Sequence, residues 1–160
     1  MIEIYEDELN LLIYKPDLIE RNLVQEITNT IIQNSFSIIQ LDIQVVTHER
    51  IVEHYRNNIT SEKIEEWITN YFVNKNVLLL VIQGENAIKR SRELIGASDP
   101  SKAKKYSIRG KFGQDSYQLA ESQDRSCANL IHASDSIGEF IREVNLWIPD
   151  FFKKYKLIKR

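Results

Sequence analysis

The sequence predicts an α+β sandwich in which a four-stranded antiparallel sheet, laid out in the ferredoxin-like order βαββαβ, is covered by helices. Two short apolar runs without helical spacing, Leu9–Tyr14 and Val77–Ile82, read as buried strands. Each is followed by a stretch in which apolar residues recur every three or four positions, the spacing of a helix with one buried face. An alternating run, residues 35–46, supplies a strand between them, and residues 129–136 carry a short fourth one near the far end.

Taken in order, LNLLIY ends at Lys15-Pro16-Asp17, where the proline closes the strand. From Glu20 to Asn34, the positions Leu23, Val24, Ile27 and Ile31 predict a helix. In the alternating run, Ile39, Leu41, Ile43 and Val45 fall on one side. Gln40, Asp42 and Gln44 fall on the other, so one face is expected to be polar or covered. Thr47 and Ser61 are suited to cap two helices that form a hairpin. The first carries Ile51, Val52 and Tyr55, the second Ile64, Trp67, Ile68, Tyr71 and Phe72, a periodicity that puts Trp67 in the core.

After the 77–82 strand, a helix follows Gly84, buries Ala87, Ile88, Leu94 and Ile95, and ends at Gly96. Residues 97–128 are polar and lack periodicity, which predicts a long surface loop, and loops longer than about 12–15 residues are usually functional or disordered. Ile137, Phe140, Ile141, Val144 and Ile148 give the last helix its buried face, and Ser136 with Glu139 forms a capping box that starts it just after His132. The tail FFKKYKLIKR is short and basic.

At 160 residues the chain suffices for one domain with its own core, without disulfides or metals. A net charge of -2 provides no general field for nucleic acid or a membrane surface, so neither is expected as a partner. The one cysteine, Cys127, cannot pair within the chain, which fits a reducing compartment. The acidic start lacks the features of a signal peptide, and no apolar run approaches the roughly 18 residues of a membrane span. A cytoplasmic location is expected.

The segment Asn129-Leu130-Ile131-His132-Ala133-Ser134-Asp135-Ser136 delivers one histidine from a strand to the start of a helix. A neutral imidazole is a competent nucleophile near neutral pH. A lone histidine is more often a satisfied polar residue of the core, so the flanking pattern decides. His48 and His54, interleaved with Glu49 and Glu53, read as a solvent-facing helix surface rather than a metal cluster.

Lys15-Pro16-Asp17, His54-Tyr55, Arg92, Ser107-Ile108-Arg109-Gly110, the 129–136 block, Glu143 and Leu146-Trp147 occur in an order and spacing that resembles the nucleoside diphosphate kinases, from about Leu11 to Trp147. The resemblance implies transfer of the terminal phosphate of ATP to other nucleoside diphosphates through phospho-His132, with Glu143 bonded to the other ring nitrogen. It implies Lys15, Arg92 and Arg109 as phosphate-binding cations, Tyr55 as a hydroxyl beside the phosphates, and Ser98 where the family has threonine. Asn129 matches a ribose ligand and Ser134 a partner of Glu143. Ile64 falls at the base-stacking position, with Trp67 one turn on, and Ile68 matches the apolar residue beneath the base. Mg²⁺ is implied, held by the nucleotide phosphates, with Asp135 reaching it through water. A homo-oligomer is implied as well.

Three departures stand out. Leu18 replaces the glycine of the family's KPDG, which would strain a turn of positive φ. Lys105-Tyr106 replaces a proline-glycine pair. An insertion of about ten residues, tolerable in a surface loop, occupies 113–128 and reads as a polar excursion or a flap over the nucleotide. These departures motivate the alternative of a nucleotide-binding regulatory or scaffold protein of the same fold with weak turnover, which would bind ADP but transfer little phosphate.

Overall fold

The computed structural model describes residues 1–160. Its sheet has four antiparallel strands, β2 (Leu9–Tyr14), β3 (Ser37–Val45), β4 (Asn76–Gln83) and β5 (Ile131–Ala133), in the order β3-β4-β2-β5. Numbered along the chain this is 2-3-1-4, the ferredoxin-like arrangement. The two central strands are buried on both faces, which is why their sequences, Asn10 and the two ends of β4 apart, run apolar rather than alternating.

Each face of the sheet carries a core. On one, Leu9, Leu11, Ile13, Val77, Leu79 and Val81 pack against the hairpin α3 (His48–His54) and α4 (Glu62–Phe72) and against α8 (Ile137–Trp147). On the other, Leu12, Tyr14, Leu78, Leu80 and Ile82 meet α1 (Pro16–Glu20), α2 (Val24–Gln33) and α5 (Ala87–Ile95). The caps form as expected. Thr47, Ser61 and Ser136 accept from the N–H groups of Arg50, Ile64 and Glu139. The Glu139 carboxylate does not complete a capping box, because it is bonded to Arg142 instead, at 2.7 and 3.0 Å.

Several expectations are corrected. The helix expected from Glu20 to Asn34 starts later, as α2 at Val24, because Glu20 is the last residue of α1 and Asn22, between the two, takes φ 56°, a conformation asparagine tolerates. Leu18 lies inside α1 with no positive φ and is fully buried with Tyr14, Ile108 and Leu130, so leucine here fills the core rather than straining a turn.

In β3 the alternation holds but the faces are reversed from the usual polarity. A bulge between Ile38 and Gln40 sets the phase. Gln40, Asp42 and Gln44 then lie under the α3 and α8 layer, where Gln44 donates to the Trp147 carbonyl at 2.7 Å and accepts from Arg50 at 2.7 Å. Leu41, Ile43 and Val45 are left 54%, 67% and 58% exposed on the edge strand.

Residues 97–128 are not an unstructured loop. They hold a 3-10 turn (Pro100–Lys102), α6 (Ile108–Phe112) and α7 (Tyr117–Ser122), started by caps at Asp99, Ser107 and Ser116. Gly110 is required by close approach, since a Cβ there would meet the Lys104 carbonyl oxygen at 2.0 Å. The termini are also ordered. β1 (Ile2–Tyr5) pairs in parallel with β6 (Tyr155–Ile158), which follows α9 (Phe151–Lys154). Glu3–Lys156 and Asp7–Arg160 ion pairs, both 3.1 Å, join the acidic start to the basic tail. No helix is long and apolar enough to cross a membrane.

Candidate active site

The ends of β2 and β5, the hairpin and the 97–128 segment surround a cleft of about 630 Å³. Lys15, Tyr55, Ile68, Arg92, Ser98, Arg109, Asn129, His132, Asp135 and Glu143 all line it. Ser134 is fully buried just behind. Ile64 is not among the lining residues. One helical turn before Ile68, it packs against the core instead. Trp67 is not core either, since its indole N–H donates to Asp124 at 3.0 Å.

β5 is extended by Leu130, which has φ 74°, and the Ile131 N–H bonds back to the Asn129 carbonyl at 2.9 Å. That is a γ-turn, a conformation costing about 1–3 kcal/mol for a non-glycine residue. It persists because its polar groups are held from outside. Leu130 N–H donates to Asp17 Oδ2 at 3.1 Å, and the Lys15 N–H donates to the Leu130 carbonyl at 2.9 Å. Arg109 donates to the Asn129 carbonyl from Nε at 3.0 Å and to the Ile131 carbonyl from Nη2 at 2.5 Å. The turn aims the next side chain but one, His132, into the cleft.

The His132 ring is one-fifth exposed on its cleft side. Its Nε2–H donates to Glu143 Oε2 at 2.8 Å, and the Ser134 hydroxyl donates to the same oxygen at 2.6 Å. A carboxylate only accepts, so the tautomer is set and Nδ1 keeps its lone pair. Burial, then the charges of Lys15, Arg109 and Arg92, pull the imidazole down to about 3, which keeps it neutral at physiological pH. Burial pushes the Glu143 carboxyl up.

Lys15 Nζ donates to Asn129 Oδ1 at 2.6 Å, and the Asn129 amide donates to the Ser98 carbonyl at 2.9 Å. Arg92 is exposed but tethered to the Ala133 carbonyl at 3.1 Å. Tyr55 sits with its ring centroid 6.4 Å from that of His132.

Burial, then the Arg109 charge, pull the Lys15 ammonium down to about 7. The folded chain therefore holds fewer protons than the unfolded one between that value and the ordinary lysine range. This residue weakens stability in full below pH 7, and the penalty fades as pH rises. Phosphates favour the charged form, so ADP binding at about pH 8 is expected to take up close to one proton. Calorimetry in buffers of different ionisation heat reads this directly. Uptake that is absent, or that survives in Lys15→Met, would rule Lys15 out as its source.

Sequence reasoning missed several members of this arrangement. His54 is not on a solvent-facing surface. It is 4% exposed, with its ring centroid 4.6 Å from that of His132. Trp147 Nε1–H donates to His54 Nδ1 at 3.0 Å, so the other nitrogen of this neutral ring carries the hydrogen. His54, His132 and Glu143 offer atoms within 4.8 Å of one another, yet His54 has no lone pair to give a metal. Asp17 accepts from the Tyr71 hydroxyl as well as from Leu130. Asn10, fully buried in β2, donates to Ser91 Oγ at 2.9 Å and to the Ser134 carbonyl at 3.1 Å. Only its place as the one polar residue in an apolar strand could have marked it.

An uncharged imidazole facing a group of cations suits an incoming group that is itself anionic, and a phosphoryl group fits both the nucleophile and the charge. The class so defined is a phosphotransferase that works through a phosphohistidine. Residues 8–152 match the family model described as nucleoside diphosphate kinase. Similar proteins include the nucleoside diphosphate kinases of Staphylococcus haemolyticus, 33% identical over 89% of each chain, and of Ehrlichia ruminantium, 33% identical over 94% of this chain and 95% of the other. Among solved structures, a transition-state mimic of the Borrelia burgdorferi nucleoside diphosphate kinase with bound vanadate and ADP superimposes with a TM-score of 0.85 at 26% identity, covering 96% and 92% of the two chains. The Pyrobaculum aerophilum NDP kinase gives 0.80 at 26% identity, covering 88% and 95%.

The chain belongs to the nucleoside diphosphate kinase family. It moves the terminal phosphate of a nucleoside triphosphate to a nucleoside diphosphate through phospho-His132.

Proposed function

We propose that this cleft carries out both half-reactions with the side chains named above. The observation that carries the reading is the His132 Nε2–Glu143 bond, which leaves Nδ1 unprotonated in a cleft lined by Lys15, Arg92 and Arg109. The Nδ1 lone pair attacks the γ-phosphorus. The N–P bond forms as the bond to the β,γ-bridging oxygen breaks, and ADP leaves with the electron pair. An oxygen of the acceptor's β-phosphate then reverses the step. Glu143 stabilises the positive charge that develops on the ring, and Ser134 keeps the carboxylate oriented. Lys15, Arg92 and Arg109 offset the phosphate charge, Tyr55 hydrogen-bonds the transferred group, and Asn129 and Ser98 meet the sugar and phosphate side.

The residues present fit Mg²⁺ held chiefly by the nucleotide. Glu143 is committed to His132 and Ser134, and Glu139 to Arg142, so Asp135, exposed at the start of α8, is the carboxylate available to hold one of the ion's waters. When bound, the ion neutralises charge on the β- and γ-phosphates. Incubation with γ-labelled ATP and no acceptor is expected to give an acid-labile, alkali-stable phosphoprotein that loses its label on addition of GDP. A folded chain that takes up no label would overturn the reading.

We further propose that residues 1–160 act as one kinase domain, in the cytoplasm, as a homo-oligomer. The support for assembly is the strip of Leu41, Ile43 and Val45 on the edge strand β3, with exposed Ile32 on α2. An edge strand with an apolar face is what a natural protein covers. Ile43→Glu is expected to lower the mass measured by light scattering while leaving the far-UV spectrum unchanged. An unchanged mass would exclude this face.

A further inference from the structure

The segment between Phe112 and Asn129 is folded into a strap that reaches across the cleft. Its root is Asp115, whose side chain is 8% exposed. Arg125 donates to both of its oxygens, at 2.6 and 3.0 Å, and the Ala128 N–H donates at 2.8 Å. Burial opposes ionisation of Asp115, but the Arg125 bond and the N–H groups of Ala128 and Ser116 outweigh it and hold the carboxyl down to about 2. The two ends of the strap are thus pinned together beside Asn129. Its outer corner, Asp124 at φ 55°, accepts from Trp67 Nε1–H at 3.0 Å and from Lys63 Nζ at 3.1 Å, both on α4. The strap therefore runs from the wall that holds Arg109 and Asn129 to the wall that holds Ile68.

Between those anchors, Tyr117, a residue 49% exposed, lines the cleft. The other aromatic side chains of that end are engaged. Phe72 is 4% exposed beneath Lys15, and the Tyr71 hydroxyl is held by Asp17. Ile64, at the position expected to stack on the base, lies outside the cleft lining. The cations take the phosphates, which leaves the ring of half-exposed Tyr117 as a neutral, flat partner.

We infer that Tyr117 is the aromatic surface on which the nucleotide base stacks, with Ile68 on the facing wall, and that the Asp124 contact to α4 holds the ring in place. This rests on the chain acting on nucleoside di- and triphosphates. Stacking accepts any base and favours purines only through their larger face. The latch is exposed, and exposed ion pairs are weak, so it opens readily for nucleotide exchange.

The test compares ADP, CDP and inorganic pyrophosphate binding to the full chain by calorimetry. Tyr117→Ala is expected to weaken ADP about tenfold, or about 1.4 kcal/mol, and CDP by less. Tyr117→Phe should bind ADP as the wild type does, and pyrophosphate, having no base, should bind all variants alike. Asp124→Ala should weaken ADP about threefold alone and add nothing to Tyr117→Ala, since both act through one ring. Unchanged ADP affinity in Tyr117→Ala, or an equal loss for pyrophosphate, would overturn the stacking role. Additive losses would overturn the latch. A chain that forms phospho-His132 from ATP but shows no Tyr117 effect loses this assignment alone, whereas one that binds no ADP loses the kinase reading with it.

Discussion

His132→Ala is expected to form no phosphoenzyme and to lose turnover by on the order of 10⁴-fold or more, the scale seen when a covalent nucleophile is deleted. The loss should fall on chemistry and not on folding. The side chain faces the cleft, and its partner Glu143 keeps the Ser134 hydroxyl at 2.6 Å, so the buried carboxylate is not stranded. ADP affinity should be close to that of the wild type, because the cations that hold the phosphates remain. The pH dependence provides a second check. With the imidazole pulled down to about 3, phosphoenzyme formation should not titrate through the ordinary histidine range near pH 6.5. The same shift has a cost in stability. Between about 3 and 6.5 the unfolded chain binds a proton here that the folded chain does not, so stability falls as pH falls through that window. Rapid-quench phosphorylation across pH 5–8 reads the first effect, and acid melting of wild type against His132→Ala reads the second. A phosphorylation rate that drops with an apparent pKa near 6.5 in the wild type would contradict the neutral, buried nucleophile.

The parts of the fold that were legible are those decided by local pattern. β2 apart from Asn10, and β4 apart from its two end residues, are apolar because both faces are buried, and Thr47, Ser61 and Ser136 mark helix starts through a bond made within one turn. What was not legible depends on what lies across from a residue. Alternation in β3 says which side chains share a face but not which layer covers it, and Leu41, Ile43 and Val45 turned out to be the uncovered side. α6 and α7 have five and six residues, too few to establish a helical period, although their caps Ser107 and Ser116 are visible in the sequence. β1 and β6 pair across almost the whole chain, and only the opposite charges of the two ends hinted at it.

The site divides in the same way. Lys15, Arg92 and Arg109 come from separate elements, and only a family resemblance gathers them. Asp17, His54 and Asn10 act through contacts that no spacing encodes.

Arg109→Met is expected to lower both stability and activity, whereas Arg92→Ala should lower activity alone. The difference lies in what each guanidinium already holds. Arg92 is exposed and makes one bond, to the Ala133 carbonyl. Arg109 is 8% exposed and donates to the carbonyls of Asn129, Gly96 and Ile131. Two of those carbonyls flank Leu130, so the arginine braces the γ-turn that aims His132 while leaving donors free for phosphate. Methionine fills part of the volume but leaves buried carbonyls short of a partner, at roughly 1–3 kcal/mol each. A net loss of ~2–4 kcal/mol corresponds to a fall in Tm of about 10 °C for a chain of this size. Turnover should drop a further ~10²–10³-fold, the effect of removing one preorganised charge from a transition state. Arg109→Lys should recover little of either, since one ammonium cannot span three carbonyls set around a planar fork. Thermal melts with single-turnover phosphorylation on the same three variants separate the two roles. If Arg109→Lys melted with the wild type, the brace would be dispensable, and the strained turn would have to be held by Asp17 and the Lys15 backbone alone.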